Sequence, residues 1–452
     1  APQKMQRHKK ILGGHLLGKG VYWTQNQLCA VFTRRKGTFV ENFNELLKKY
    51  ADFIVRVGVN PQPGQTLIIR CSLEAAPLAR LCVRSAFEAG ARDVQVDWND
   101  NAVSRSRMEL GSEEALTDFK PYQLRRYLDY AESEGSVCVL HLIADDPEVY
   151  AGLDSAKISR VNAANRKFMA PWREYTMNDR VQWSIAAMPS APWAKKMFPD
   201  LDTDAAIEKL WQLIFDVCRV TGGDPVGEWK AHLDRLMTLR DKMNAFDLES
   251  VHFKSSNGTD LTVGLADKAS WESAGSRNEK GVEFLPNIPT EEVFTAPHKD
   301  KVNGIVYGTK PYVFNGQLIK GFHVTFKDGR VVEHGADEGA ELLGRLLDTD
   351  EGARSIGEVA LVPASSPINR SGALFYSTLF DENAACHIAF GASYPGTTEN
   401  GTRLSKDELL ARGMNQSAIH EDVMVGAEDS HITGKCRDGR TVELFRDGVW
   451  VL

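Results

Sequence analysis

From Glu41 onward the apolar positions fall into a regular pattern. Leu46, Leu47, Tyr50, Phe53, Ile54 and Val57 recur at helical spacing, and Gly58 follows as a terminator, so the spacing predicts an amphipathic helix ending there. Gln65 to Cys71 is a short, nearly continuous apolar run and predicts a buried strand. Ala75 to Gly90 then reads as a helix and Asp93 to Trp98 as a second strand. A helix around Tyr122 to Ala131 and strands at Val137 to Ile143 and Val181 to Ala187 continue the alternation. Two long helical stretches, Asp204 to Val220 and Gly227 to Phe246, end it. Strands separated by helices pair in parallel through crossovers, which predicts a doubly wound α/β domain with a mainly parallel sheet.

The texture changes near residue 247. Val251 to Lys254 and Leu261 to Leu265 flank Asn257-Gly258, a dipeptide suited to the positive φ angles of a tight hairpin turn. Further strand–turn–strand units are predicted at Tyr312 to Phe326, Gly329 to Glu333 and His431 to Val451, with one helix at Glu338 to Leu347. The expected class is α/β: an N-terminal doubly wound α/β domain over 41–247, then a β-rich α+β domain over 248–452. Residues 1–40 lack helical periodicity and turn chemistry and read as an atypical N-terminal extension, either native or an artefact upstream of the domain that begins at Glu41. Gly13-x4-Gly18-Lys19 within it mimics a phosphate-binding loop. Gly20, however, stands where a Ser or Thr must reach magnesium, and neither flank supplies the strand and helix, so nucleotide binding is not expected.

Composition narrows the partners. The chain has 452 residues and a net charge of −7, so no basic face favours nucleic acid. No apolar run approaches the ~20 residues that span a bilayer, so no membrane partner is expected. The seven cysteines are scattered and include no C-x-x-C pair, which argues against a thiolate zinc knuckle or a disulfide framework and suits a cytoplasmic protein.

The candidate chemistry lies in the second half. His420-x-Asp422 sits in the apolar stretch Ile419 to Val425, and on a strand these two side chains project to one face. Glu358 enters the apolar run Gly357 to Pro363, a costly place for a carboxylate unless it is paired or metal-bound. Glu291 and Glu292 are adjacent, so alternation sends only one of them inward; Glu291 is expected to be solvated or to stand behind the other. Glu382 and His387 are five residues apart, a spacing that reaches one site only from a loop or bend. Trp193, Trp271, Glu272 and Phe294 are candidates for a pocket wall, with core packing the expected role of the aromatics. Together the carboxylates and histidines describe a thiolate-free, O/N-rich set suited to zinc, cobalt or manganese, with more ligands than one ion needs. A two-metal hydrolytic site follows as an expectation.

Five segments then identify a resemblance. They are Asp260 to Leu265 (DLTVGL), Asn287 to Pro297 (NIPTEEVFTAP), Gly357 to Pro363 (GEVALVP), Leu379 to His387 (LFDENAACH) and His420 to Gly426 (HEDVMVG). From about Glu41 to its end the chain resembles the metalloaminopeptidases of peptidase family M29, the aminopeptidase T, aminopeptidase S and PepS group. The resemblance implies metal ligands at Glu292, Glu358, Glu382, His387, His420 and Asp422, with Glu358 bridging two divalent ions and Tyr394 beside them, where it either donates to the oxyanion or only ligates or orients a ligand. The ions implied are zinc or cobalt, with manganese or magnesium also compatible with the ligands. It further implies a cytoplasmic homodimer that removes N-terminal residues from short peptides with a water activated by both ions. A two-metal phosphoesterase or amidohydrolase fits the ligand inventory but not these segments. A non-catalytic peptide-binding protein would be expected to lack some of the six ligand positions.

Overall fold

The computed structural model describes residues 38–315 and 317–452, with side chains from residue 42. Most of the expected extension, including Gly13 to Lys19, lies outside the described residues. From Asn44 to Leu452 the chain is one compact unit.

The first helix, α1 (Thr38–Phe53), does not stop at Gly58 as its spacing suggested. It widens into a π-helical turn over Ile54–Val59 and closes at Asn60, whose φ of 47° places it in the left-handed region. Gly58 has a different purpose. A Cβ there would meet Ile288 Cδ1 at 2.8 Å, and its carbonyl accepts the Leu285 N–H at 2.8 Å. The glycine lets this turn press against the segment that leads to Glu291 and Glu292.

Four parallel strands follow: β1 (Thr66–Ser72), β2 (Asp93–Asn99), β3 (Val137–Ile143) and β4 (Trp183–Ala187), in the order β2-β1-β3-β4. The chain steps outward from β1 to β2, then returns past β1 to β3. With right-handed crossovers, that reversal puts helices on both faces of the sheet. Two long helices come next, α2 (Thr203–Val217) and α3 (Pro225–Ala245). Asp202 and Asp224 cap them by accepting the N–H groups of Ala205 and Gly227. Pro225 takes the first turn of α3, where its fixed φ suits a helix start and its missing N–H costs nothing, so α3 begins two residues before the predicted Gly227.

Beyond Phe246 the pairing becomes antiparallel. One eight-stranded sheet includes the hairpin of Leu248–Lys254 with Asp260–Leu265, whose connection spans five residues, with only Gly258 at positive φ. A second sheet contains β5 (Glu272–Ser273), β6 (Val293–Thr295), β7 (Ile356–Leu361), β8 (His387–Gly391) and β9 (His420–Met424), in the order β9-β8-β7-β6-β5. The two sheets share a core of residues such as Val263, Phe326, Leu346, Val359, Ile388 and Phe390, with Phe326 stacked on Phe390 at 6.4 Å.

The parallel sheet and the second sheet are joined near the candidate ligands. Pro286 O accepts the Ile185 N–H at 2.7 Å and Ile288 N–H donates to Ile185 O at 2.9 Å, so this segment lies parallel to β4 before entering β6. No described helix is long and apolar enough to cross a membrane. The six described cysteines are buried and unpaired.

Candidate metal centre

Strand β7 is buried along its whole length, so Glu358, only 4% exposed, stands in an apolar strand. In register, Glu358 lies opposite Ala389 of β8, and Ala389 lies opposite Asp422 of β9. Side chains directly opposite one another share a face, and so do residues two apart on one strand. Glu358, His387, His420 and Asp422 therefore project from the same face. Ala389 sits between two carboxylates, and its small side chain leaves room above the sheet. Phe294, opposite Ala360, and Glu272, opposite Phe294, share this face. The other face carries Val359, Ile388 and Val423 into the core.

The geometry resolves into two groups that share Glu358. Glu292, Glu358 and His387 form one, and Glu358, His420 and Asp422 the other; within each, one ligand atom per residue lies within 4.8 Å of the others. His387 Nε2 is 3.2 Å from Glu292 Oε2 and 3.6 Å from Glu358 Oε1. His420 Nε2 is 3.5 Å from both Glu358 Oε2 and Asp422 Oδ1. The Nδ1 atoms lie 3.2 Å from Ala385 O and 2.7 Å from Ala392 O. Those carbonyls accept from protonated Nδ1 and aim Nε2 at the carboxylates, so that a bound cation would take the place of the proton Nε2 otherwise carries. Asp422 Oδ1 is buried without a hydrogen-bond partner. Cys386, next to His387, turns away and engages Val362 O at 3.3 Å, so no thiolate joins the set.

Glu382 stands outside both groups, although it lines the same cavity. A 3₁₀ turn over Glu382–Ala384 supplies the bend that its spacing to His387 demanded. Its Oε1 accepts from the side-chain amides of Asn287 and Asn383, each at 3.3 Å.

Four carboxylates thus face two imidazoles. Burial, with Asp422 and Glu292 nearby, holds the Glu382 carboxyl well above its ordinary range, and burial also raises Glu358. Burial would lower His420, but Asp422 and Glu358 outweigh it and push the imidazole up to about 9. His387 is raised in the same way by Glu292 and Glu358 against the effect of burial. Asp422 is lowered despite its burial by the neighbouring His420. This is the electrostatic state of a site with a surplus of anionic oxygen. The residues present fit divalent cations. Tyr394 packs its ring on His420 at 4.6 Å and on Phe294 at 6.4 Å. Burial and the carboxylates of Glu358 and Asp422 raise its hydroxyl far above 10, which keeps it a donor.

Of the two readings of Glu291, the structure shows the one in which it stands behind Glu292 and not the solvated one. Both Glu291 and Glu292 are buried, because the segment entering β6 is covered on both faces. Glu292 points to the cavity, while Glu291 pairs with Arg219 at 2.6 Å on the side of α3. His232 of α3 donates Nε2–H to Thr290 O at 2.8 Å, and burial plus Arg219 push its pKa down to about 3, so it stays neutral. Replacing Arg219 by Met leaves Glu291 as an unpaired buried charge. The expected loss of stability is about 3–5 kcal/mol, read by urea unfolding at neutral pH. A loss below ~1 kcal/mol would show that solvent reaches the carboxylate.

The cavity above the sheet measures about 860 Å³ and adds Trp183, Leu233, Met237, Phe284 and Leu285 to the polar residues named. Glu272 and Phe294 line it, whereas Trp193 and Trp271 are core residues, 1% and 2% exposed. Asp179 also lines it, accepting from Trp183 Nε1 at 3.1 Å and from the Ser276 hydroxyl. Burial pushes the Asp179 carboxyl up to about 6 from 3.8. A raised carboxyl contributes stability below its unfolded value that is lost as pH rises through the folded value. Asp179→Asn, which tolerates the local φ of 50°, should therefore match the parent at pH 4 and exceed it above pH 6 by up to roughly 3 kcal/mol. Denaturant titrations at both ends of that window check the sign.

Comparison with known proteins places this geometry in a family. The family model of thermophilic metalloproteases (M29) matches residues 43–450. Aminopeptidase 2 of Geobacillus stearothermophilus is 44% identical over 404 residues, 89% of this chain and 97% of that protein. Aminopeptidase T of Thermus aquaticus is 40% identical over 413 residues, 91% of this chain and all of that protein. The solved structure of wild-type AmpT from Thermus thermophilus superposes with a TM-score of 0.82 at 38% identity, covering 91% of this chain and 100% of the other. With its carboxylate–histidine cluster at the floor of a large cavity, the chain is a metal-dependent peptide hydrolase and belongs to the M29 family of thermophilic metalloproteases.

Proposed function

We propose that the chain is an aminopeptidase that removes N-terminal residues from short peptides, with two divalent ions held by Glu292, Glu358, Glu382, His387, His420 and Asp422. The observation that carries this reading is the sharing of Glu358 by two ligand groups on one sheet face. Zinc or cobalt suits the mixed nitrogen and oxygen donors, with manganese or magnesium as further candidates. Divalent ions bound there supply Lewis acidity, lowering the pKa of water and polarising a carbonyl.

The chain's own residues supply the rest. With two divalent ions the four ligand carboxylates would be neutralised, so a free α-amine would be engaged by an ion or by a carboxylate outside the set, such as Glu272 on the cavity wall, and a blocked terminus offers no such amine. This is why the activity is that of an exopeptidase. The Tyr394 hydroxyl donates to the oxygen on which negative charge develops during attack. A cavity of about 860 Å³ accommodates a few residues of an extended peptide. We infer a cytoplasmic homodimer with residues 41–247 as its α/β domain and 248–452 as its catalytic domain. The six described cysteines, buried and free, support the compartment, and the change from parallel to antiparallel pairing supports the domain boundary, while the homodimer rests on the family resemblance.

The test is hydrolysis of leucine p-nitroanilide and of a short free-amine peptide, before and after EDTA. Activity should vanish on chelation, return with zinc or cobalt, and be absent on the N-acetylated peptide. Turnover of p-nitrophenyl phosphate with none of the anilide, or no turnover with any metal, would overturn the reading.

A further inference from the structure

We propose that Asn287 and Asn383 form a two-amide clamp on Glu382, positioning its carboxylate against the segment that carries Glu292. This rests on the functional reading above and adds residues to it. Asn383 is fully buried and every part of its amide is used. Its Oδ1 accepts the Glu291 N–H at 2.7 Å, and its Nδ2 donates to Leu379 O at 3.1 Å and to Glu382 Oε1 at 3.3 Å, with Pro289 O a longer acceptor at 3.5 Å. The Glu291 N–H decides the orientation of the amide, since only the oxygen can accept from it and the nitrogen must then face Glu382. Asn287 approaches the same Oε1 from the cavity wall at 3.3 Å.

The clamp spans distant parts of the chain. Asn287 and Glu291 lie near the two ends of one short segment, and both ends reach the turn that bears Glu382, 95 and 92 residues away for the two contacts. The segment is also held at Ile185 of β4 and through Glu291 to Arg219. Glu382 is the one expected ligand outside the two compact groups, so its direction depends on these amides rather than on sheet register. With Oε1 held by two donors, Oε2 remains the acceptor available to an ion.

The test compares zinc affinity, by competition with a chromophoric chelator, in the parent, Asn383→Asp and Asn287→Ala. Asn383→Asp keeps the acceptor for the Glu291 N–H but turns an oxygen toward Glu382. Zinc affinity should fall ~10–100-fold, the scale for groups that orient metal ligands. Asn287→Ala, on the cavity wall, should weaken zinc several-fold and serves if the buried variant does not fold. In a Glu382→Ala background neither substitution should have a further effect. Parent-like zinc affinity in both variants overturns the clamp, as does an equal loss with and without the Glu382 carboxylate. A parent that binds zinc but cleaves no peptide refutes the aminopeptidase reading while leaving this comparison intact.

Discussion

Glu358→Gln should lower kcat/KM for a free-amine peptide by on the order of 10⁴-fold, the scale on which losing a central catalytic group is felt. The size follows from the sharing of one side chain. Glu358 Oε1 faces His387 and Oε2 faces His420, so a neutral amide removes a charged donor from both ligand groups at once. Metal analysis should accordingly find fewer than two ions per chain. The stability effect should have the opposite sign in the chelated protein. There burial disfavours the charged Glu358 and outweighs the attraction of His387 and His420, with the Asp422 and Glu292 carboxylates adding repulsion. Gln keeps the volume and relieves that repulsion, so the chelated variant should unfold at a higher temperature than the chelated parent. A variant that retains two ions and near-parental turnover would remove Glu358 from the role of bridge.

Tyr394→Phe should lower kcat by ~10²–10³-fold with little change in KM or in bound metal, as expected for an oxyanion donor. The substitution separates two roles. Phenylalanine keeps the ring contacts with His420 and Phe294 and loses only the hydroxyl. If the tyrosine merely orients the imidazole, kcat should be unchanged. Because burial is the first cause that holds the hydroxyl protonated, and it persists when ions neutralise the carboxylates, the deficit should be the same from pH 6 to 9. A deficit that appears only at high pH would assign it to a tyrosinate and overturn the donor role.

These expectations draw unequally on what the chain displays in one dimension. The i, i+2 spacing of His420 and Asp422 needed only the alternation of a strand to place both on one face. Glu358 was conspicuous because a carboxylate in an apolar strand is costly without partners. Gly58 was misleading, since a glycine that admits close packing looks the same in sequence as one that ends a helix. Glu291 and Glu292 defeated simple alternation, because that argument assumes one dry and one wet face. Here helix α3 covers one side and the cavity wall the other. The bend between Glu382 and His387 was required by their spacing, but its 3₁₀ geometry was not specified by it. Arg219 and His232 carry no sequence signal for their roles, and Asn287 and Asn383, although inside matching segments, show nothing there of the contacts they make across the chain.

The sequence by itself determined the periodicities: which stretches are helical, which are strands, and where parallel α/β pairing gives way to antiparallel hairpins. Those features follow from local sterics and from the burial of one face, which are written in the spacing of apolar residues. Through its matching segments it also determined the family resemblance and the six residues expected to hold metal. Only the tertiary structure decided that Glu358 is common to two groups, that Glu382 stands apart from both, and that Glu291 is bound to Arg219. Register between strands, and contacts between segments some seventy to a hundred residues apart, arise when separate faces pack together, and no local pattern encodes their distances.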